Sequence, residues 1–230
     1  TIIINIYYYN NYMKKKILIT GSTGFVGRHV IRALAKHNVE FHLVVRKERE
    51  DEVSLWPKVS QVISTPDLFS ESSDWWADQC DGIDTVVHLA WYTKSNNYLQ
   101  STKNNDCLTG SLNLAKGAVQ SGIRRFVGIG TCVEYDLSGG VLSVNTPLKP
   151  MTPYAKSKAE LFLSLQKLLL KNSIEFVWCR LFYLYGEGED SQRLIPYLRK
   201  KLEAGELAEL SDGTQIRDFL DVHVAGKSIT

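Results

Sequence analysis

Tyr154 and Lys158 are the residues whose types and spacing are best suited to chemistry. They stand four apart in TPYAKSKAELFLSLQKLLLKNS, where apolar residues recur at helical spacing. Thr152 suits the N-cap and Pro153 the first helical position, so the pair would share one face near the start of a helix. An ammonium beside a phenol lowers its pKa from the usual value of about 10. Such a phenol could exchange a proton with a substrate alcohol or carbonyl, although a packed Tyr and a snorkelling Lys give the same pattern.

A glycine motif near the start of the chain predicts the redox cofactor that this chemistry needs. Gly21, Gly24 and Gly27 form G-x-x-G-x-x-G between the apolar run KKILIT and an amphipathic segment. Glycine permits a tight turn and close backbone approach to a diphosphate, which the N-terminus of the next helix attracts. The motif therefore predicts a dinucleotide site. The alternative is a glycine-rich turn without a ligand.

The end of the second predicted strand indicates which dinucleotide binds. The strand EFHLVVR ends at Arg46, and Lys47 follows. An acidic residue at this position favours NAD through the ribose hydroxyls, whereas a basic residue suits the additional phosphate of NADP. The sequence therefore favours NADP(H) over NAD(H). A solvated charge cluster, or a ribose contact from Glu48 or Glu50, stays open.

Strands alternate with helices along the chain, which predicts an α/β fold with a doubly wound parallel sheet. The predicted strands are Lys15–Thr20, Glu40–Arg46, Gln61–Thr65, Asp84–Ala90, Arg124–Thr131 and Ile174–Leu181. A long helix is predicted over Tyr98–Ser121. The 230 residues suffice for one large domain, or for one domain with a small lobe.

Composition narrows the classes of partner. The net charge is +2, from 27 basic and 25 acidic residues, so no nucleic acid is expected. No apolar run has the length that spans a membrane, so no membrane partner is expected. The four cysteines are scattered without a C-x-x-C pair, which predicts neither a metal site nor a disulfide framework. A reducing, cytoplasmic location fits this pattern.

With these pieces in place, the chain from about Lys15 to Val224 resembles the extended short-chain dehydrogenase/reductase family of NAD(P)-dependent nucleotide-sugar epimerases, dehydratases and reductases. The motifs that carry the resemblance are TGSTGFVG, PDL, VVHLAW, FVGIGTCVEYD, YAKSK, RLFYLYGEG and DGTQIRDF. The resemblance implies a catalytic set of Thr131, Tyr154 and Lys158 and no catalytic metal. The cofactor-binding residues that it implies are Gly21, Thr23, Gly24, Phe25, Val26, Gly27, Arg46, Asp67, Leu68, Leu89, Ala90, Tyr154 and Lys158. The substrate residues that it implies are Thr131, Tyr154, Tyr183 and Arg217.

The resemblance also implies a role for each of these groups and a domain plan. Lys158 would bind the nicotinamide ribose, Thr131 the substrate oxygen and Arg217 the substrate diphosphate. Residues 13–183 would form a Rossmann-like dinucleotide domain and residues 184–230 a small substrate lobe, truncated because the family continues well past this length. The first twelve residues are interpreted as an extraneous tail before a natural start at Met13, with an extra edge strand as the alternative. Two departures are Tyr183, where many relatives carry Asn, and an Asn pair, at 104 and 105, about a turn earlier than the family places one.

The residues after Thr131 bear on the reaction. Sugar 4,6-dehydratases of the family carry Asp-Glu there, whereas this chain has Cys132 and Val133. Glu134 is expected to point to the opposite face of an extended segment, so dehydration is set aside. The expected function is reduction of a 4-keto-6-deoxy nucleotide sugar in surface-polysaccharide synthesis. A nucleotide-sugar 4-epimerase with tightly bound NAD and a non-catalytic dinucleotide sensor or scaffold are the alternatives, and a homodimer is left open.

Overall fold

The computed structural model describes residues 14–93 and 97–230. The tail at residues 1–12 lies outside these ranges, so its interpretation stays a prediction. The strands are β1 Lys15–Thr20, β2 Val39–Arg46, β3 Val59–Thr65, β4 Thr85–His88, β5 Arg125–Thr131, β6 Glu175–Leu181, β7 Tyr183–Tyr185 and β8 Phe219–Asp221. The α-helices are α1 Phe25–Leu34, α2 Glu50–Val53, α3 Ser73–Gln79, α4 Lys103–Gln120, α5 Pro153–Lys171, α6 Leu194–Glu203 and α7 Val222–Ser228. Short 3₁₀ helices cover Lys47–Arg49, Cys132–Glu134 and Leu137–Gly139.

Six strands form one parallel sheet in the order β3-β2-β1-β4-β5-β6. The strand order reverses between β1 and β4, and in such sheets the ligand crevice lies beyond the carboxyl ends of the strands at this point. The predicted Rossmann-like, doubly wound fold is therefore confirmed. The separate β7-β8 pair is also parallel.

Helices cover both faces of the sheet, which explains why its strands are almost continuously apolar. In β1, Leu18 packs into the layer that contains Trp76 of α3, while Ile17 and Ile19 pack into the layer of α1. Successive side chains of a strand point to opposite faces of the sheet, so each strand needs apolar residues at both odd and even positions. The sheet is therefore buried on both faces by the two apolar layers.

The long helix begins later than the sequence predicts. α4 starts at Lys103 rather than Tyr98, and residues 97–100 form a turn. Asn104 is fully buried, and its side-chain amide donates hydrogen bonds to the carbonyls of Tyr98 at 2.6 Å and Ser101 at 2.9 Å. Asn favours such local bonds to the backbone over a continued helix, so the turn replaces the first predicted helical residues.

The segment after β5 is not extended, which corrects the expectation for Glu134. Cys132–Glu134 forms a 3₁₀ helix with a capping box. The Thr131 hydroxyl accepts from the amide of Val133 at 3.4 Å, and the Glu134 carboxylate accepts from the amide of Thr131 at 2.7 Å. These reciprocal bonds turn Glu134 back beneath the end of β5, where it is fully buried.

The C-terminal residues pack against the first helix. α7 lies on α1, with the rings of His29 and His223 4.3 Å apart, and a Cβ at Gly226 would lie 2.8 Å from the backbone of His29. The division into two domains near residue 183 stays a prediction. Across the described ranges, every helix is too short or too polar to cross a membrane.

Candidate active site

The glycine motif forms the turn between β1 and α1 at the crevice. Gly21 has a φ of +75°, and a Cβ there would lie 2.6 Å from the backbone nitrogen of Ala90. A Cβ at Gly27 would lie 2.1 Å from the carbonyl oxygen of Gly21. Side-chain carbons do not approach backbone atoms this closely, so the turn closes against the end of β4 only with glycine at both positions.

The same turn has features that fit a dinucleotide diphosphate. Gly24 is exposed, and it is the N-cap of the ten-residue helix α1 without a side-chain capping bond. The first amides of α1 are therefore available to a ligand, and the positive end of the helix attracts a phosphate. The Ser22 hydroxyl is buried without a hydrogen-bond partner among the described residues. The other residues of this turn that were predicted to bind cofactor are Thr23, Phe25 and Val26.

A buried polar chain fixes the end of β4 against this turn. The amides of Leu89 and Ala90 donate to the carbonyl and the hydroxyl of Thr20, at 3.1 and 3.3 Å. His88 has its Nδ1 2.7 Å from the Thr20 hydroxyl and its Nε2 2.7 Å from that of Ser111. Burial lowers the pKa of His88 to about 3, so the imidazole is neutral. The chain holds Leu89 and Ala90 where the crevice opens.

The ends of β2 and β3 carry the other predicted cofactor residues. Arg46 is the last residue of β2, its side chain is 59% exposed, and its Nε lies 3.5 Å from Glu48. Asp67 follows β3, and its carboxylate accepts from the amide of Phe69 at 3.0 Å. Leu68, the residue after Asp67, is buried in the core. Parallel strands end at one edge of the sheet, so these residues share that edge with the glycine turn.

α5 places Tyr154 at the same edge. The Thr152 hydroxyl accepts from the amide of Ala155 at 3.2 Å, and Pro153 is the first helical residue. Both capping predictions are therefore confirmed. The amide of Tyr154 donates to the carbonyl of Leu99 at 3.1 Å, which ties the start of α5 to the turn before α4.

The Tyr154 phenol is surrounded by aromatic rings. It lies edge-on to Tyr98 and Trp91, with ring centroids at 5.0 and 6.3 Å. Burial raises the pKa of Tyr154, and the nearby Thr131 side chain acts in the opposite direction. The expectation that Lys158 lowers this pKa is wrong for this structure, because the ammonium points elsewhere. The phenol is therefore protonated at neutral pH, as a proton donor must be, but the raised pKa makes it a weaker acid than a free phenol.

Lys158 is almost completely buried. Its Nζ donates to the carbonyl of Ile129 at 2.7 Å and lies 3.7 Å from the ring centroid of Trp91. Burial lowers the pKa of Lys158 to about 7. The Trp91 ring is held in turn, because its Nε1 donates to the Oδ1 of Asn104 at 2.9 Å. The roles of Trp91 and Asn104 are not predicted from the sequence, although the Trp at the end of the motif VVHLAW indicates an aromatic ring beside the crevice.

The burial of Lys158 predicts a pH dependence of stability. Between its folded pKa of about 7 and its usual value of 10.5, the unfolded chain keeps a proton that the folded chain has lost. The free energy of unfolding therefore rises with pH across this window. Denaturant unfolding of the cofactor-free chain should show this rise relative to Lys158→Met, whereas the exposed Lys156→Met should parallel the wild type. Parallel curves for wild type and Lys158→Met would contradict the prediction.

The two predicted substrate residues beyond β6 lie against each other. The guanidinium of Arg217 lies 5.3 Å from the ring centroid of Tyr183 and donates to the side chain of Gln215 at 3.3 Å. Burial raises the pKa of Cys132, and the positive charge of Arg217 is among the smaller effects that oppose this shift. The arginine is therefore on the side of the molecule where Thr131 ends β5. Its role toward a substrate diphosphate stays a prediction.

Comparison with known proteins gives a consistent picture. A sequence model of the NAD dependent epimerase/dehydratase family matches residues 17–224. The dTDP-6-deoxy-L-talose 4-dehydrogenase (NAD(+)) of Aggregatibacter actinomycetemcomitans is 24% identical over 208 residues, covering 90% of this chain and 75% of the relative. The UDP-glucose 4-epimerase of Vibrio cholerae is 29% identical over 191 residues, covering 76% and 54%.

Solved structures show the same fold. The UDP-N-acetylglucosamine 4-epimerase from Methanobrevibacter ruminantium M1 matches with a TM-score of 0.80 at 21% identity, over 94% of this chain and 72% of that one. A dTDP-glucose 4,6-dehydratase from Streptomyces venezuelae matches with a TM-score of 0.76 at 23% identity, over 93% and 70%. At these identities the likeness is one of fold.

Proposed function

The chain belongs to the NAD-dependent epimerase/dehydratase family, and from that premise we propose that it reduces the 4-keto group of a 6-deoxy nucleotide sugar. The observation that carries the proposal is the meeting of Thr131 and Tyr154. Thr131 ends β5 and Tyr154 lies in the first turn of α5, at the edge of the sheet that also holds the glycine turn, and the Thr131 side chain is close enough to the Tyr154 phenol to lower its pKa against the effect of burial. Two hydroxyl groups beside a dinucleotide are the set that a ketone oxygen needs when it becomes an alcohol.

Each residue has a definite task in this proposal. The dinucleotide supplies a hydride to the carbonyl carbon when it is bound. The Tyr154 phenol donates its proton to the carbonyl oxygen, so that the ketone becomes a secondary alcohol. Thr131 donates a hydrogen bond to the same oxygen and stabilises the charge that develops on it. Lys158 binds the nicotinamide ribose. To do so, its ammonium must either move away from the Trp91 ring or contact the ring and the ribose together.

Dehydration is disfavoured by the groups that follow Thr131. Elimination of water needs an acid and a base beside the nicotinamide, but Cys132 and Val133 occupy the two adjacent positions. Glu134 is the next carboxylate, and it is fully buried and engaged by Arg180. A group in that position cannot reach a sugar in the crevice.

Reduction and epimerisation use the same three residues and differ in what happens to the cofactor. The Aggregatibacter relative is a 4-dehydrogenase of a 6-deoxy sugar, and this favours net redox chemistry at the 4-position. The Vibrio relative is a 4-epimerase, and this supports epimerisation as the second candidate function. In an epimerase the dinucleotide is regenerated within each cycle, whereas a reductase consumes one reduced dinucleotide for each product.

Cofactor consumption is therefore the test of the proposed function. The chain is incubated with NADPH or NADH and a panel of dTDP-, UDP- and GDP-linked 4-keto-6-deoxy sugars, and the nicotinamide absorbance is followed. We expect a stoichiometric loss of absorbance with one nucleotide class. Interconversion of two 4-epimers without loss of absorbance would identify an epimerase. Bound dinucleotide without turnover on any sugar would favour the sensor or scaffold.

We also propose that Arg46 selects NADP(H) over NAD(H). Its guanidinium is mostly exposed at the end of β2, where the adenosine ribose of a dinucleotide lies in such folds. A charge-assisted contact with the additional phosphate is worth about 1.5–3 kcal/mol, or about ten- to a hundredfold in affinity. Arg46→Asp should reduce the ratio of NADP to NAD affinity by about this factor, as measured by calorimetric titration.

Glu48 provides the matched control for Arg46. Its carboxylate competes for the guanidinium at 3.5 Å, so Glu48→Gln should maintain or increase the preference for NADP. An unchanged preference in Arg46→Asp would show that another residue makes the selection.

A further inference from the structure

The carboxylate of Glu134 is completely buried directly beneath the end of β5. A carboxylate loses its hydration on burial, which costs several kcal/mol unless the charge is paired and hydrogen-bonded. A chain that keeps an acid at this position must hold it by specific partners. The residues that bind the Glu134 carboxylate therefore indicate its role.

Three donors hold the Glu134 carboxylate. Arg180 Nε donates to Oε2 at 2.7 Å, and Trp178 Nε1 donates to the same oxygen at 3.2 Å. The backbone amide of Thr131 donates to Oε1 at 2.7 Å. Both carboxylate oxygens are thus engaged, and the orientation of the group is fixed.

Arg180 is itself fixed by its surroundings. Its guanidinium contacts two rings, with Cζ 4.6 Å from the centroid of Tyr135 and 4.5 Å from that of Phe162. One of its terminal nitrogens donates to the Tyr135 hydroxyl at 3.1 Å. These contacts and the hydrogen bond hold the guanidinium in one place, so Arg180 is a fixed counterion for the Glu134 carboxylate.

The strand makes room for this carboxylate. A Cβ at Gly130 would lie 2.4 Å from Oε1 of Glu134 and 2.2 Å from Nε1 of Trp178. Any larger residue would displace the carboxylate from the backbone. The glycine that precedes Thr131 is therefore part of the same arrangement.

The arrangement connects to both polar ends of the proposed catalytic set. Through the amide of Thr131, it fixes the backbone from which the Thr131 hydroxyl is directed. Trp178, which donates a hydrogen bond to Glu134, also lies beside the buried ammonium, with its ring centroid 5.9 Å from Lys158 Nζ. Burial lowers the pKa of Lys158, and the charge of Glu134 is the largest of the effects that raise it.

We propose that Glu134 is a positioning residue for the reduction proposed above: held by Arg180 and Trp178, its carboxylate directs Thr131 toward the substrate oxygen and balances the charge of the buried Lys158 ammonium. It does not contact the substrate. The inference deepens the proposed function and rests on it for the role of Thr131. The effect on Lys158 is a property of the folded chain and is measurable without any substrate.

The other groups that face Lys158 must be considered in a pH experiment. They are Cys107 on α4, which favours the charged ammonium, and His88 on β4, whose pKa Lys158 lowers. The Glu134 side also includes Tyr154 and Cys132, and burial raises the pKa of both. Of these groups, Glu134 is the one that a single substitution can neutralise while its shape is kept.

The test compares Glu134→Gln, which keeps the shape without the charge, with Glu134→Asp, which keeps the charge. Lys158 is titrated by ¹³C NMR of its Cε, assigned with Lys158→Arg. We expect Glu134→Gln to move the titration of Lys158 about one pH unit lower, since a nearby opposite charge shifts a pKa by about 1–3 units. Glu134→Asp should shift it less and in the same direction, because its shorter side chain draws the charge away from Lys158. If Glu134→Gln does not fold, an unmoved titration of Lys158 in Glu134→Asp would overturn the proposal.

Glu175→Gln is the matched control. Glu175 lies at the opposite end of the β5-β6 pair, where it binds Arg124 and Arg125 on the surface. Removing its charge should leave the titration of Lys158 unchanged. If Lys158 titrates at the same pH in Glu134→Gln as in the wild type, the proposal is overturned, whatever the enzyme reduces.

Turnover provides the second readout. Glu134→Gln should lower kcat about tenfold with little change in KM, because a misdirected Thr131 affects the transition state more than binding. The limb of the pH–rate profile that reports Lys158 should move with the NMR titration, and Glu134→Asp should restore it. A purely structural role predicts lower thermal stability in both variants with an unmoved limb, and that result would overturn the proposal.

Discussion

Replacing Tyr154 with Phe is expected to lower turnover about a hundred- to ten-thousandfold, the usual contribution of a positioned general acid. The phenol lies beside Thr131 and keeps its proton at neutral pH, because burial raises its pKa. Phe preserves the ring packing against Tyr98 and Trp91 but cannot donate a proton. Dinucleotide affinity should barely change, since the phenol serves mainly the transition state. Single-turnover hydride transfer and equilibrium dinucleotide binding measure the two effects separately.

Two comparison variants make this prediction specific. Tyr98→Phe removes a hydroxyl from the neighbouring ring, and its effect on turnover should be much smaller than that of Tyr154→Phe. Lys158→Ala should lower both turnover and dinucleotide affinity, because the lysine is expected to serve the cofactor as well. Near-normal turnover in Tyr154→Phe would exclude the phenol as the proton donor.

Gly27→Val is expected to weaken dinucleotide binding about ten- to a hundredfold. A Cβ at this position would lie 2.1 Å from the carbonyl oxygen of Gly21 and 2.8 Å from Cα of Ser22, both of them backbone atoms. The turn must therefore open, and overpacking of this kind costs about 1–3 kcal/mol, occasionally more. The displaced turn no longer presents the first amides of α1 to a diphosphate. Fluorescence or calorimetric titration with the dinucleotide measures the loss.

Gly139→Val is the control for the glycine turn. A Cβ at Gly139 meets no atom within 4 Å, so this variant should bind dinucleotide like the wild type. The melting temperature of each variant separates a local effect on the turn from general unfolding. Dinucleotide affinity of Gly27→Val equal to that of the control would show that this turn does not hold the diphosphate.

The sheet could be predicted because its strands depend on local patterns. Apolar runs such as KKILIT, followed by glycine turns or amphipathic segments, have few alternatives to buried parallel strands. The start of α5 was equally predictable, since Thr152 and Pro153 act through the residues next to them. Elements that depend on residues close to one another in the chain can therefore be predicted from the sequence.

The errors arose where side chains form bonds that periodicity does not encode. α4 starts late because the buried Asn104 binds the carbonyls of the preceding turn. The sequence predicts an extended segment at Glu134, whereas the capping box with Thr131, whose sequence signature is T-x-x-E, turns the chain into a 3₁₀ helix. The distant partner Arg180, 46 residues further along the chain, could not be inferred from spacing.

The proposed catalytic pair shows the same limit. Four-residue spacing on a helix predicted that Tyr154 and Lys158 would share a face, but the direction of the ammonium depends on groups from other elements. It lies against the carbonyl of Ile129 and the ring of Trp91. The influence of Lys158 on the phenol therefore cannot be read from spacing, and the electrostatics of the pair depend on the tertiary structure.

Isotope transfer from the cofactor tests the central claim most directly. The chain is supplied with NADPH or NADH that carries deuterium on either face of the nicotinamide C4, together with the 4-keto-6-deoxy nucleotide sugar on which absorbance is lost. If the protein is the proposed reductase, one cofactor face delivers one deuterium to C4 of the sugar, with one oxidised dinucleotide formed for each alcohol. Recovery of both 4-epimers of the sugar without deuterium and without net oxidation of the cofactor would contradict the account.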